Sequence, residues 1–152
     1  MVAGLVTVML QAVIEAGILV FFMTLVGNVS WTMLIIIPIF ALMSCFAFGI
    51  GLVLGLMNVR FRDVFYLVGI TMQVFFYCTP IVYPLEIVPE NARRFLELNP
   101  LTSYVYAMRQ VAYGLELPTL SNWLVMIASA VVCLVGGWLI FGRYAPRVIE
   151  EL

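Results

Sequence analysis

The chain has 152 residues, 65% of them hydrophobic and 10% charged, with a mean hydropathy of +1.17. Such a composition excludes an ordinary soluble domain and points to a lipid solvent. A net charge of −1 argues against a nucleic-acid partner, and the lack of histidine and lysine excludes a His-based metal site, a Ser-His-Asp device and a phosphate-loop lysine.

Residues 1–27 are apolar apart from Thr7, Gln11, Glu15 and Thr24. At about 1.5 Å rise per residue they make one tilted span. Met1 leads into apolar residues without a basic n-region, so no signal peptide is read, and an N-terminal portion is expected to be missing. Glu15, one turn after Gln11, is an ionisable group within a span. It faces a bundle interior or a wet path, or it is a protonated or hydrogen-bonded group at a helix interface. The two readings stand level.

Gly27, Asn28 and Ser30 form a turn signal, and a second span follows over 31–57, with Trp31 placed as an interface anchor. Residues 58–63 are short and charged. A third span runs over 64–82, and a fourth over 120–142 is opened by Ser121, Asn122 and Trp123. Cys45, Cys78 and Cys133 all sit in apolar segments and read as packing residues, with no metal or disulfide role.

Between the last two spans lies an amphipathic insert. Thr79 to Gly114 holds four of the seven prolines, three arginines and three glutamates. Pro89 suits a first helical position, with Glu90 at the positive end of the helix dipole. Asn99 is a good N-cap with Pro100 at N1, and Gly114 is a natural residue after the last turn. The expectation is two short outer helices over 85–114. The fold is then an all-α integral membrane domain of four spans, with a re-entrant or amphipathic helix pair before the last.

Arginine placement orients it. Arg60, Arg62, Arg143 and Arg147 fall in two short segments at one face, whereas Arg93, Arg94 and Arg109 are diluted over the insert among Glu86, Glu90, Glu97 and Glu116. The positive-inside rule puts the Arg60–Asp63 loop and the C-terminus in the cytoplasm and the insert outside.

Small residues recur every fourth position at Ala47, Gly51 and Gly55, and again at Ser129, Cys133 and Gly137. Both stripes read as helix-packing faces. Tyr66, Gln73 and Tyr77 share one face of the third span, because seven and eleven residues are near whole turns. Tyr83, Tyr104 and Tyr106 lie at the outer end. Such a ladder suits a sugar path, since tyrosine offers a ring face and a hydroxyl; the alternative is an interfacial belt and core packing.

In order, Asn58-Val59-Arg60-Phe61-Arg62-Asp63, Thr79-Pro80-Ile81-Val82-Tyr83-Pro84, Leu98-Asn99-Pro100-Leu101-Thr102 and Arg109 resemble the ABC-2 type permeases. Within them the pattern is most similar to the branch that exports lipid-linked O-antigen, teichoic acid and galactan chains. The resemblance covers residues 45–150 or so. It implies a six-span subunit working as a pair, of which this chain begins at the third span. It implies that Arg60, Arg62 and Asp63 form a cytoplasmic coupling loop. Residues 85–114, with Asn99, Pro100 and Arg109, would be the gate helices. It implies as partners a separate nucleotide-binding ATPase holding ATP and Mg, a second permease copy, membrane lipid and a lipid-linked glycan, with no cofactor in this chain and a bacterial cytoplasmic membrane location. The competing functions are an ABC-2 permease for a small drug or lipid and a membrane-embedded enzyme acting on lipid or glycolipid.

Overall fold

The computed structural model describes residues 2–25, 27, 31–61, 63–83 and 87–150. For residues 2, 3, 5, 60, 92, 94 and 146–150 it describes the backbone alone. The described chain is helical: α1 (Val2–Leu25), α2 (Ile36–Arg60), α3 (Val64–Cys78), α4 (Glu90–Glu97), α5 (Pro100–Arg109) and α6 (Leu120–Glu150).

Each boundary has a local cause. After α1, Gly27 adopts φ 76 and its amide donates to the Thr24 carbonyl at 3.1 Å. That left-handed turn costs glycine nothing. A 3-10 turn over Trp31–Ile35 leads into α2. Pro38 explains the tighter entry, since it lacks the amide that would bond the Leu34 carbonyl. α2 ends at Phe61, whose backbone is extended.

The sequence reads as a third span to Val82, but α3 stops at Cys78 after 15 residues. Pro80 is the cause: it disfavours helical geometry at the preceding residue, and Thr79 is extended at φ −110, ψ 131. At about 22 Å, α3 alone is shorter than the hydrocarbon thickness, and the segment beyond it to Tyr83 completes the link between the two ends of the bundle. Among the described residues, three helical segments are long and apolar enough to cross a membrane: Val6–Leu25, Trp31–Val59 and Leu120–Ala145.

α1 lies antiparallel beside α2. Gly4 is level with Phe48, while Val20 borders a groove with Ile37. α6 runs in the same direction as α2. They meet glycine to backbone: a Cβ on Gly49 would run into the Cys133 carbonyl, and one on Gly137 would run into the Gly49 carbonyl. Bare helix surfaces in contact are how spans associate without a hydrophobic driving force.

Within the chain, Cys133 and Gly137 pack against α2, and their partner there is Gly49. Gly51 and Gly55 point elsewhere, and a Cβ on either would meet nothing within 4 Å. Two residues along a helix is about 200°, so Gly49 and Gly51 face nearly opposite ways.

The core sits where α2, α5 and α6 meet: Ile36, Ile39, Tyr104, Ala107, Val111 and Met126 are each at most 1% exposed. Elsewhere apolar side chains face outward, Phe22, Ile70 and Val132 among them. Hydrocarbon or neighbouring spans tolerate that surface; water does not.

Candidate functional site

α4 and α5 form a hairpin at the Trp31 end of the bundle, where the turn after α5 touches the 3-10 turn before α2. Pro89 stands just before α4, and its carbonyl accepts from the Arg93 amide at 3.0 Å. Arg93 and Glu97, one turn apart, pair at 2.9 Å on the exposed face. Asn99 is extended, and its Oδ1 accepts from the Leu101 amide at 3.0 Å, with Pro100 opening α5. The Thr102 hydroxyl donates to the Leu96 carbonyl at 2.6 Å and ties the two short helices together.

Two further side chains fasten the hairpin to the end of α3. Asn99 Nδ2 donates to Thr79 Oγ1 at 3.1 Å, and Thr79 is 1% exposed. The Arg109 guanidinium donates to the Ile81 carbonyl at 2.7 Å and to the Tyr83 carbonyl at 3.4 Å. A charged, forked donor is suited to holding two carbonyls of an irregular segment at once. The Tyr83 hydroxyl donates to the Tyr77 carbonyl at 2.8 Å and folds that segment back on α3.

Tyr104 fastens the hairpin to α6. Its hydroxyl is 2.7 Å from the Met126 carbonyl and 3.2 Å from Ser129 Oγ, and its ring lies 5.8 Å from that of Phe46. Ser129 is about 14 Å along α6 at helical rise, so α5 is set into the bundle end and does not merely rest on it. Burial pushes the Tyr104 phenol above its ordinary value, so it stays protonated and donating.

Beyond Arg109 the helix widens into a π turn, Gln110–Gly114. The left-handed residue that ends it is Leu115, φ 52, one position beyond Gly114, and the Glu116 amide returns to the Gln110 carbonyl at 3.1 Å.

The tyrosines expected to share one path separate into three environments. Tyr66, Gln73 and Tyr77 lie along one exposed face of α3, with Tyr66 73% and Tyr77 66% exposed. Tyr83 closes the top of that helix. Tyr106 stands apart, lining a cleft against α6. Tyr104 departs from the path expectation: it is buried with its hydroxyl committed, and it acts as a packing anchor. Sequence reasoning named Thr79, Thr102 and Ser129 but not their fastening roles, because their partners are 20, 6 and 25 residues distant. A threonine before proline was the one available sign.

At the opposite end, Asp63 is exposed and its carbonyl accepts from the Tyr66 and Leu67 amides at 3.1 and 3.2 Å, starting α3. Arg62 lies outside the described residues, and Arg60 is described in its backbone alone. Gln11 donates to Glu15 at 3.0 Å on an exposed face of α1.

The family model described as ABC-2 type transporter matches residues 1–113. Two O-antigen export system permease proteins RfbA from Klebsiella pneumoniae are similar. One is 36% identical over 76 residues, covering 49% of this chain and 29% of the relative. The other is 29% identical over 119 residues, covering 76% and 45%. An O-antigen export system permease protein RfbA from Myxococcus xanthus is 25% identical over 125 residues, covering 81% and 48%. The chain thus spans half or less of the length of these curated relatives.

Proposed function

Since the chain belongs to the ABC-2 type transporter family, we propose that it forms part of the membrane path of an ATP-driven exporter. Its cargo in this reading is a lipid-linked polysaccharide, moved outward across the bacterial cytoplasmic membrane. The observation that carries the proposal is the latched hairpin beside α3: Asn99 and Arg109 hold it to Thr79, Ile81 and Tyr83, directly above an exposed face bearing Tyr66, Gln73 and Tyr77. Similarity to the O-antigen export permeases supports the choice of cargo.

The geometry suggests how energy travels. A separate nucleotide-binding ATPase, holding ATP and Mg, docks at the loop of Arg60, Arg62 and Asp63. α3 starts at Val64, so a push on the loop moves one rigid helix. Its far end leads into Thr79, which bonds the hairpin through Asn99. α3 thus works as a short rod between coupling loop and gate. A second permease copy completes the path. An extended polymer needs repeated weak contacts, and the aromatic and amide side chains of α3 supply them.

A second reading, export of a lipid, is favoured by the apolar groove of about 350 Å³ between α1 and α2. One experiment separates the two. Cells lacking the complete permease gene should accumulate lipid-linked polysaccharide inside and lose it from the surface, and restoring the gene with its ATPase should reverse both. Normal surface polysaccharide in the deletion strain, with a lipid retained instead, would favour the second reading.

A further inference from the structure

Between α4, α5 and the first turns of α6 lies a cleft of about 320 Å³, at the lower end of the size range of ligand pockets. Its walls differ in kind from those of two apolar hollows in the bundle. The groove between α1 and α2 and the one where both meet α5 are lined mainly by apolar side chains. This cleft is lined mainly by polar side chains, Arg93, Glu97, Ser103, Ser121 and Asn122 among them, with Tyr106 and Val125 as its apolar surfaces.

The charges here do not select an ion. Arg93 and Glu97 are paired at 2.9 Å, each about half exposed. An anion drawn to the guanidinium meets the carboxylate beside it, and a cation meets the reverse. What remains is a ring of hydroxyls and an amide that can both donate and accept. Tyr106, 40% exposed, adds an aromatic surface to this polar wall. A ligand matching that set is neutral, with hydroxyls along its edges and a C–H face for the ring. It is not an acyl chain, which would leave the hydroxyls and the amide unpaired.

We infer that this cleft is a binding subsite for a short neutral saccharide, with Tyr106 as the stacking surface and Asn122, Ser103 and the Arg93–Glu97 pair as hydrogen-bonding partners. It shares no residue with the exposed face of α3. The export proposal supplies the source of the sugar, whereas the binding itself stands on the cleft alone.

The test uses the full chain in lipid nanodiscs with free hexoses, N-acetylhexosamines and their disaccharides as probes. Saturation-transfer NMR reads binding, and circular dichroism confirms that each variant is folded. At least one saccharide should bind. Tyr106→Ala and Asn122→Ala should each weaken it by about five-fold or more, and Tyr106→Phe should keep most of it. Inorganic phosphate should not compete. Absence of saccharide binding, equal binding in both alanine variants, or displacement by phosphate would each overturn the assignment. Saccharide binding at the cleft alongside normal surface polysaccharide in the deletion strain would remove the export proposal and leave the subsite standing. Loss of surface polysaccharide in that strain with no saccharide bound would do the reverse.

Discussion

The Arg109 guanidinium donates to the Ile81 carbonyl at 2.7 Å, joining residues 28 apart in sequence. Ile81 lies in the irregular segment after α3, where a carbonyl has no helix partner, and Arg109 closes α5. With the Asn99–Thr79 bond, this side chain therefore fixes the angle between the hairpin and the helix that leads to it.

Replacing Arg109 with alanine should loosen that junction by about 1.5–3 kcal/mol, the scale of hydrogen bonds to charged groups. Arg109→Lys should recover only part, because an ammonium cannot fork to two carbonyls. Amide hydrogen exchange checks this: residues 100–109 should exchange faster in both variants, more so in the alanine one, with α2 unchanged. Unaltered exchange in α5 would remove Arg109 from its latching role.

Gly49→Leu and Gly137→Leu should each prevent α2 and α6 from closing, since any Cβ there meets backbone. Gly51→Leu and Gly55→Leu should leave the packing within the chain intact. Thermal unfolding in detergent separates the pairs: the first two variants should be strongly destabilised or fail to accumulate, and the second two should unfold near wild type.

Tyr104→Phe keeps the ring beside Phe46 and removes the bonds to Met126 and Ser129. The cost should be modest, about 0.5–1.5 kcal/mol, because Ser129 Oγ still reaches the Met126 carbonyl at 3.0 Å. Tyr104→Ala should cost more, about 3–5 kcal/mol, by opening a cavity in the core. Unfolding midpoints of the two variants should fall in that order.

Asn99→Ala removes an N-cap and the partner of Thr79, so it should destabilise by about 1 kcal/mol from the cap, plus the lost side-chain bond. Thr79→Val loses the second of these alone and should cost less. If the two variants unfold alike, the cap contributes nothing to the junction.

These residues also show what could be read in advance. Asn99 and Pro100 declared the start of α5 because capping is local chemistry, complete within three residues. Pro80 likewise carried the end of α3, through the restriction it places on Thr79, although the apolar run to Val82 hid it. The burial of Tyr104 was not legible. It depends on Met126 and Ser129, which only the packing of α5 on α6 brings near. Nor could the period-four stripes say which face meets which helix: Gly49 lies outside the Ala47–Gly51–Gly55 series and makes the contact. Leu115 gave no sign of its left-handed backbone, because Gly114 beside it was the natural candidate.

The proposed passage of a glycan along the exposed face of α3 is best tested by surface polysaccharide in cells whose permease carries Tyr66→Ala, Gln73→Ala and Tyr77→Ala together, at membrane levels matched to wild type. These side chains are exposed, so the triple variant should fold. Each single change should slow export modestly, and the triple change should reduce it severely. Wild-type export by the triple variant would contradict the claim and leave that face as a lipid-facing surface.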